Sequence, residues 1–326
     1  MKIKQVFENL RNDIHVNSYY LKGDDQFLQE FFPRHVTDYI FGKQHVEKVL
    51  IISDEMDKKN QLDEILTSDL FNSKRVFILK NFQRLNSKQQ DEILEYVTKP
   101  LKNHLLFIIN DDFFKKTNNL NKLEKIIGYV DVQTPLNYET RKWVKYFFKK
   151  NGVKVENKVV DTLVDLVGDS LSNLKNEVDK ICLFKGNEKK VLFHEMDLFS
   201  FLVSNRQRKE LLFSIAERNF SKSILSMRVI LTQSDSMLSL IYPLTTLLQE
   251  LLFAKMNNGT YPSYKGYIGL PLSLKSKILS FKEFYTLDEI EKGLIELGKI
   301  DYRQKTGNSN DEIDLLQFLG VFVGTK

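Results

Sequence analysis

Thr67-Ser68-Asp69-Leu70-Phe71-Asn72-Ser73-Lys74-Arg75-Val76-Phe77-Ile78-Leu79-Lys80 joins two kinds of pattern. Its second half is a short apolar run with β-branched and aromatic residues, flanked by Ser, Lys and Asn, and reads as a buried strand. Its first half closes a helix predicted over Gln61–Ser68, with Leu62, Ile65 and Leu66 as the apolar face. Rotation of 100° per residue from Leu62 puts Ile65 at about 300°, Leu66 at about 40°, Leu70 at about 80° and Phe71 at about 180°. Leu70 thus extends the buried stripe, whereas Phe71 faces outward at a helix end. Two readings follow. An exposed Leu-Phe pair is a common form of protein-docking plug; alternatively, the helix stops early and Phe71 folds back into the core.

The alternation continues to both sides. After an opening helix over Ile3–Asn12, strands are predicted at Ser18–Lys22, Lys48–Ser53, Arg75–Lys80, Leu105–Asn110 and Tyr129–Gln133. Helices fall between them at Asp25–Phe41, Gln61–Ser68, Ser87–Val97 and Leu120–Ile127. Short apolar strands separated by amphipathic helices specify an α/β domain with a doubly wound parallel sheet. Thr134-Pro135-Leu136-Asn137 is the first boundary, since Pro continues neither strand nor helix.

Beyond it the chain is all-α. Helices are predicted at Tyr138–Lys150, Asn157–Val167 and Ser170–Phe184, then a mixed stretch, Lys185–Lys190. From about Arg206 follow Gln207–Arg218, Lys222–Thr232, Met237–Asn257, Leu274–Phe284, Leu287–Arg303 and Asp311–Val323. Pro243 either kinks the sixth of these nine or marks its true start. The expected domains are 1–136, a small helical domain at 137–205 and a helical domain at 206–326.

Composition excludes several classes. A formal charge of +5 on 326 residues is no polycation, and the single Cys182 rules out an internal disulfide and suits a reducing cytoplasm. The amino terminus lacks a signal-peptide core, and no apolar run approaches the ~20 residues of a membrane span. The five histidines (His15, His35, His45, His104, His194) show no ligand spacing, so no metal site is expected.

The turn after the first strand, Leu21-Lys22-Gly23-Asp24-Asp25-Gln26, lies where an NTPase would carry its phosphate loop. That loop needs G-x-x-x-x-G-K-S/T. Only Gly23 remains, and Asp24 and Asp25 place negative charge where a phosphate would sit. No cofactor is therefore expected. Asp54-Glu55 and Asn110-Asp111-Asp112 follow apolar strands as catalytic acids would, but read better as solvated strand ends. Arg141 to Lys158 is rich in Lys and aromatics; the aromatics sit at core spacing, so a solvated basic helix face outweighs a nucleic-acid face.

Taken together, Tyr20-Leu21-Lys22-Gly23-Asp24-Asp25-Gln26-Phe27-Leu28, Asp69 to Leu79, Leu105-Leu106-Phe107-Ile108-Ile109, Trp143, Leu174 to Ile181 and Asp301-Tyr302-Arg303-Gln304-Lys305-Thr306-Gly307 resemble the delta subunit of the bacterial DNA polymerase III clamp loader (HolA-like). The resemblance covers almost the whole chain. It implies an AAA+-like domain without a phosphate loop, a small helical domain, and a helical collar for oligomerisation. It also implies a cytoplasmic, non-catalytic subunit that binds and opens the sliding clamp (beta subunit), with Leu70 and Phe71 as the plug. The implied partners are the ATP-binding tau/gamma subunits, delta-prime, and primed DNA through the assembled complex. The opposing readings are a degenerate AAA+ ATPase and a free-standing DNA-binding protein.

Overall fold

The computed structural model describes residues 2–42, 46–53, 58–67, 73–111, 117–232, 236–257, 269–307 and 309–324. The chain divides into two compact units, Met1–Pro135 and Leu136–Lys326.

In the first unit the order is α1 (Ile3–Arg11), β1 (Ser18–Lys22), α2 (Gln26–Ile40), β2 (Glu47–Ile52), α3 (Lys58–Leu66) and β3 (Arg75–Lys80). Then come α4 (Ser87–Thr98), β4 (His104–Asn110), α5 (Asn118–Ile127) and β5 (Val130–Asp131). The strands form one parallel sheet in the order β2-β3-β4-β1-β5. Every residue of central β4 is buried, as a strand covered on both faces requires. Its alternate side chains serve different layers. Leu106 and Ile108 join Tyr20, Phe77, Ile65, Ile93 and Leu123 in the core beneath α3, α4 and α5. Phe107 stacks on Tyr19 at 5.5 Å, and both meet Phe32 of α2, which in turn stacks on Phe7 of α1. The sheet is doubly wound as its sequence pattern specifies.

Two boundaries differ from the sequence reading. Helix α3 ends at Leu66, and the Thr67 amide and hydroxyl both donate to the Asp63 carbonyl, at 3.0 and 2.8 Å. Leu70 and Phe71, which the helical rotation placed about 100° apart, lie outside the described residues. Strand β5 keeps only two ladder residues, since the chain after Val132 turns toward the loop following β1.

The second unit begins with α6 (Asn137–Lys150), β6 (Lys154–Val155), α7 (Asn157–Val167), α8 (Leu171–Lys185), β7 (Lys190–Val191) and α9 (Ser200–Ala216). It continues with α10 (Phe220–Thr232), α11 (Met237–Met256), α12 (Leu272–Lys275), α13 (Ile278–Phe281), α14 (Leu287–Thr306) and α15 (Asp311–Phe322). The β6–β7 ribbon was invisible to the sequence reading, because two-residue strands carry no periodic signal. The single helix expected over Leu274–Phe284 is broken into α12, α13 and a 3-10 turn. Leu274, Ile278 and Phe281 nonetheless face the core together, so the apolar spacing survived without a continuous ladder. The expected division after residue 205 falls inside α9. Pro243 lies within α11, which starts at Met237 behind an N-cap from Ser236, so Pro243 is not its start.

Helix α11 is also long and apolar enough to cross a membrane by length and composition, which the sequence reading overlooked. Leu240, Leu244, Leu247, Leu248 and Leu251 are buried against α9, α14 and α15. Gly293 lets α14 approach: a Cβ there would lie 2.6 Å from Phe322 and 2.8 Å from Leu248, both fully buried.

Charged groups fix this unit where apolar contact would not set register. Arg303 bonds buried Asp314 at 2.7 and 3.1 Å, and Gln304 takes the other Asp314 oxygen at 3.0 Å. Gln317 reaches buried Glu296 at 2.7 Å. Arg218 grips Glu289 with two hydrogen bonds, at 2.7 and 3.1 Å, over the Tyr285 ring. The Arg218 bonds, together with those from Thr286, outweigh burial and hold the Glu289 carboxyl down at about 2, against an ordinary 4.5. A depressed carboxyl contributes stability that is complete above its unfolded value and is lost as pH falls from about 4.5 toward 2. Glu289→Gln should therefore lower the thermal midpoint at neutral pH and flatten its fall across that acid window. An unchanged acid limb in the variant would exclude this pair as a source of acid sensitivity.

Candidate functional site: the carboxyl edge of the sheet

Open α/β sheets bind ligands outside the carboxyl ends of their strands, where the winding reverses. Here that place is the end of β1, between the ends of β4 and β5. Lys22, the last residue of β1, is in register with Asn110 of β4 and Asp131 of β5. The chain then turns at Gly23, with φ +145°.

Gly23 is pressed onto the segment leaving β5. A Cβ built on it would lie 2.2 Å from the Gln133 amide nitrogen and 2.3 Å from the Val132 carbonyl carbon, so only glycine fits. The backbone groups that would cradle a phosphate are already engaged. The Gly23 N–H donates to the Asn110 carbonyl at 3.0 Å, and the Asp25 N–H to the Val132 carbonyl at 3.0 Å. Gln29 Nε2 donates to the Gly23 carbonyl at 2.8 Å. At the start of α2 the Asp25 carboxylate accepts the Leu28 N–H at 2.8 Å. The Asp24 carboxylate, one residue earlier, accepts the Thr134 amide and hydroxyl, both at 3.1 Å. Two carboxylates of the chain thus stand at the anion-favouring end of α2, where a nucleotide would need its own negative charge accommodated.

The neighbouring strand ends carry little that could replace the lost loop. Asn110 is fully buried and donates from Nδ2 to the Tyr20 hydroxyl at 3.2 Å, so it closes β4 against β1. β3 ends in Lys80, whose carbonyl accepts the Ser53 hydroxyl at 2.8 Å. Asp54 and Glu55 lie outside the described residues. They follow β2, the sheet edge, which stands three strands from β1, or about 14 Å at the usual strand spacing. Asp111 is exposed, and Asp112 lies outside the described residues. Among the described residues, no group of three His, Cys, Asp or Glu side chains is placed to hold a metal ion. Cys182 is held back as a nucleophile: burial, with Asp179 nearby, pushes its thiol up to about 11.

Leu70 and Phe71 lie outside the described residues. What is described is where their segment attaches. Thr67 leaves α3, whose Ile65 carbonyl faces His104 Nδ1 of β4 at 3.4 Å, and the chain resumes at Ser73 to enter the amino end of β3. That amino end of β3 is opposite the carboxyl ends of the strands, where Gly23 lies. The polar network at Gly23 was legible only in part: the acidic pair and the missing lysine are in the sequence, but its contact with Val132 to Thr134 is tertiary.

A family model described as DNA polymerase III, delta subunit, matches residues 19–133, which is nearly all of the first unit. Across the whole chain, the delta subunit of Bacillus subtilis DNA polymerase III is 20% identical over 321 residues, covering 92% of this chain and 91% of that protein. The chain is similar to the DNA polymerase III delta family, by the family model over residues 19–133 and by this relative along nearly its whole length. The probable delta subunit of Aquifex aeolicus is 24% identical over 195 residues, covering 56% of this chain and 55% of that protein, so about half of each. The solved structure of the Bacillus subtilis DNA clamp loader delta protein superposes with a TM-score of 0.73 at 16% identity, over 98% of this chain and 99% of that one. At that identity the superposition speaks for the fold alone: a parallel α/β sheet followed by helical layers.

Gly23→Ala should unfold the edge rather than open it. A backbone overlap near 2.2 Å in the left-handed region has no flexible atom to give way. A loss of about 3 kcal/mol or more is expected in chemical denaturation. Labelled ATP should show no saturable binding to the native protein in equilibrium dialysis at micromolar concentrations. Saturable binding would mean the carboxylate closure opens.

Proposed function

We propose that this chain is the clamp-binding subunit of a clamp loader, which holds the sliding clamp and opens one ring interface for loading on primed DNA. The observation that carries the reading is the closed carboxyl edge: in a family whose fold is that of a nucleotide-binding sheet, Asp24 and Asp25 occupy the phosphate position themselves. A subunit so built contributes binding rather than catalysis, and nucleotide is handled by the tau/gamma partners, in company with delta-prime. The setting is cytoplasmic replication. A degenerate ATPase is disfavoured by the same contacts at Gly23.

In this reading Leu70 and Phe71 are the plug that enters an apolar pocket of the clamp. Burying each side chain contributes roughly 1.5–3 kcal/mol, and hot-spot truncations commonly cost about 2 kcal/mol or more. Leu70→Ala with Phe71→Ala should weaken clamp binding by roughly a hundredfold, with the thermal midpoint unchanged. If instead the midpoint drops sharply while the folded fraction still binds the clamp, Phe71 is a core residue and the plug lies elsewhere.

Assembly with the other loader subunits is assigned to the carboxy-terminal helices. Helix α15 packs between α14 and α10. Exposed apolar residues occur on all three: Ile313, Leu316 and Val321, Ile295 and Tyr302, Leu225 and Val229. Such a face suits protein contact better than solvent. Removing these helices would strip the core of the second unit, so surface substitutions test the assignment more cleanly. Ile313→Glu with Leu316→Glu should keep clamp binding and lose co-purification with the other subunits. Full complex formation by this variant would move the assembly surface elsewhere.

A further inference from the structure

Helix α6 carries a basic stripe that neither the fold nor the proposed clamp contact uses. Lys142, Lys145 and Lys149 are exposed, and at 100° per residue they fall within about 60° of one another. Over the seven residue steps from first to last, the row is about 10 Å long. Lys142 is steadied over the exposed Tyr138 ring, at 5.0 Å from its centroid. Apart from Tyr138, the apolar side chains of the same helix turn from the stripe: Val144, Phe147 and Phe148 are core, and Trp143 packs on Tyr146 and Phe147.

The ribbon that follows extends the charge. Lys154 of β6 is in register with Lys190 of β7, both exposed, while their neighbours Val155 and Val191 turn inward. Adjacent strands are about 4.8 Å apart, and like charges directly opposite each other oppose pairing. Lys150 and Lys189 are exposed beside this pair. Carboxylates of the surroundings are engaged elsewhere. Asp161 pairs with Arg141 at 2.5 Å, and Asp179 with Lys175 at 2.5 Å and Asn151 at 3.2 Å. Glu156 accepts the Phe193 N–H at 2.9 Å, and Glu188 bonds Lys185. Glu139 accepts the Tyr138 hydroxyl at 3.0 Å. Among the described residues, none of Lys142, Lys145, Lys149, Lys150, Lys154 and Lys190 forms an ion pair.

A basic residue in the last turn of a helix is favoured by the helix dipole, which accounts for Lys149 and Lys150. It does not account for Lys142 and Lys145, one to two turns earlier, or for the facing lysines of the ribbon. We propose that α6 and the β6–β7 ribbon form a binding face for the phosphodiester backbone of nucleic acid. One strand of a duplex presents a phosphate about every 3.4 Å along the axis, so the stripe lies beside about three of them. The contact reads charge spacing rather than sequence, because lysines set along a backbone meet phosphates and not base edges. The chain itself would then grip DNA, beyond any grip the assembled loader provides.

The test is fluorescence anisotropy of the full chain with a labelled duplex and, separately, a single strand of the same length, across a salt series. The expected result is binding that weakens with salt, and a Lys142→Glu, Lys145→Glu, Lys149→Glu variant that binds at least tenfold more weakly. Its log-affinity slope against log salt should fall by about 2–3. The two probes show which form of backbone is preferred. Lys99→Glu, Lys102→Glu, Lys125→Glu, an equal charge change on exposed lysines of the other unit, should bind almost as the native chain does. If the Glu variant folds poorly by circular dichroism, the corresponding Ala variant replaces it. No DNA binding at low salt, equal loss in the control variant, or binding to anionic phospholipid vesicles but not DNA would each overturn the proposal. A chain that binds DNA through α6 but not the clamp leaves this proposal standing and removes the previous one.

Discussion

The contact between Gly23 and the backbone of Val132 and Gln133 decides what the first unit can do. Its closeness leaves no space for a side chain, let alone a phosphate, between β1 and the segment after β5. The surrounding hydrogen bonds convert a ligand-binding turn into a structural one. The Gly23 and Asp25 amides and the Asp24 and Asp25 carboxylates are satisfied within the protein. What remains is a parallel sheet with central β4 buried along its whole length.

The second unit meets a different constraint. Its helices offer many interchangeable leucines, which specify burial but not register. Register comes from polar groups that cannot be left alone. Buried Asp314 and Glu296 need Arg303, Gln304 and Gln317, and these lock α14 to α15. At the other end, Asp165 bonds Lys209 at 2.5 Å and the Ser273 amide at 3.1 Å, while Asp169 bonds Lys275 at 3.0 Å. These pairs tie α7 to α9 and α12, so 136–326 packs as one compact body. Burial works against the charge of Asp165, but the Lys209 and Ser273 hydrogen bonds win and keep its carboxyl below the usual range.

The sheet was legible because β1, β3 and β4 are apolar runs of five to seven residues, bounded by turn chemistry, with amphipathic helices between them. The lost phosphate site was legible because a motif with fixed residues either is present or is not. What escaped the sequence depended on contacts between distant segments. Helix α3 ended two residues before the periodicity did. The β6–β7 ribbon is too short for any pattern. The start of α9 at Ser200 was hidden behind a polar stretch, Ser204 to Arg208, that does not look like a buried helix. Helix α11 has membrane-length apolarity, yet most of its leucines serve the core of the unit. Leu70 and Phe71 were singled out by chemistry, and the structure describes the elements on either side of them rather than the pair itself.

The claim that joins these observations is that this chain docks a clamp through a body that nucleotide does not control. Its most direct test is the affinity of the full chain for the sliding clamp, titrated by calorimetry with and without magnesium ATP. The account predicts a single tight binding event whose affinity is the same in both conditions. No binding, or binding that appears only with ATP, would contradict it.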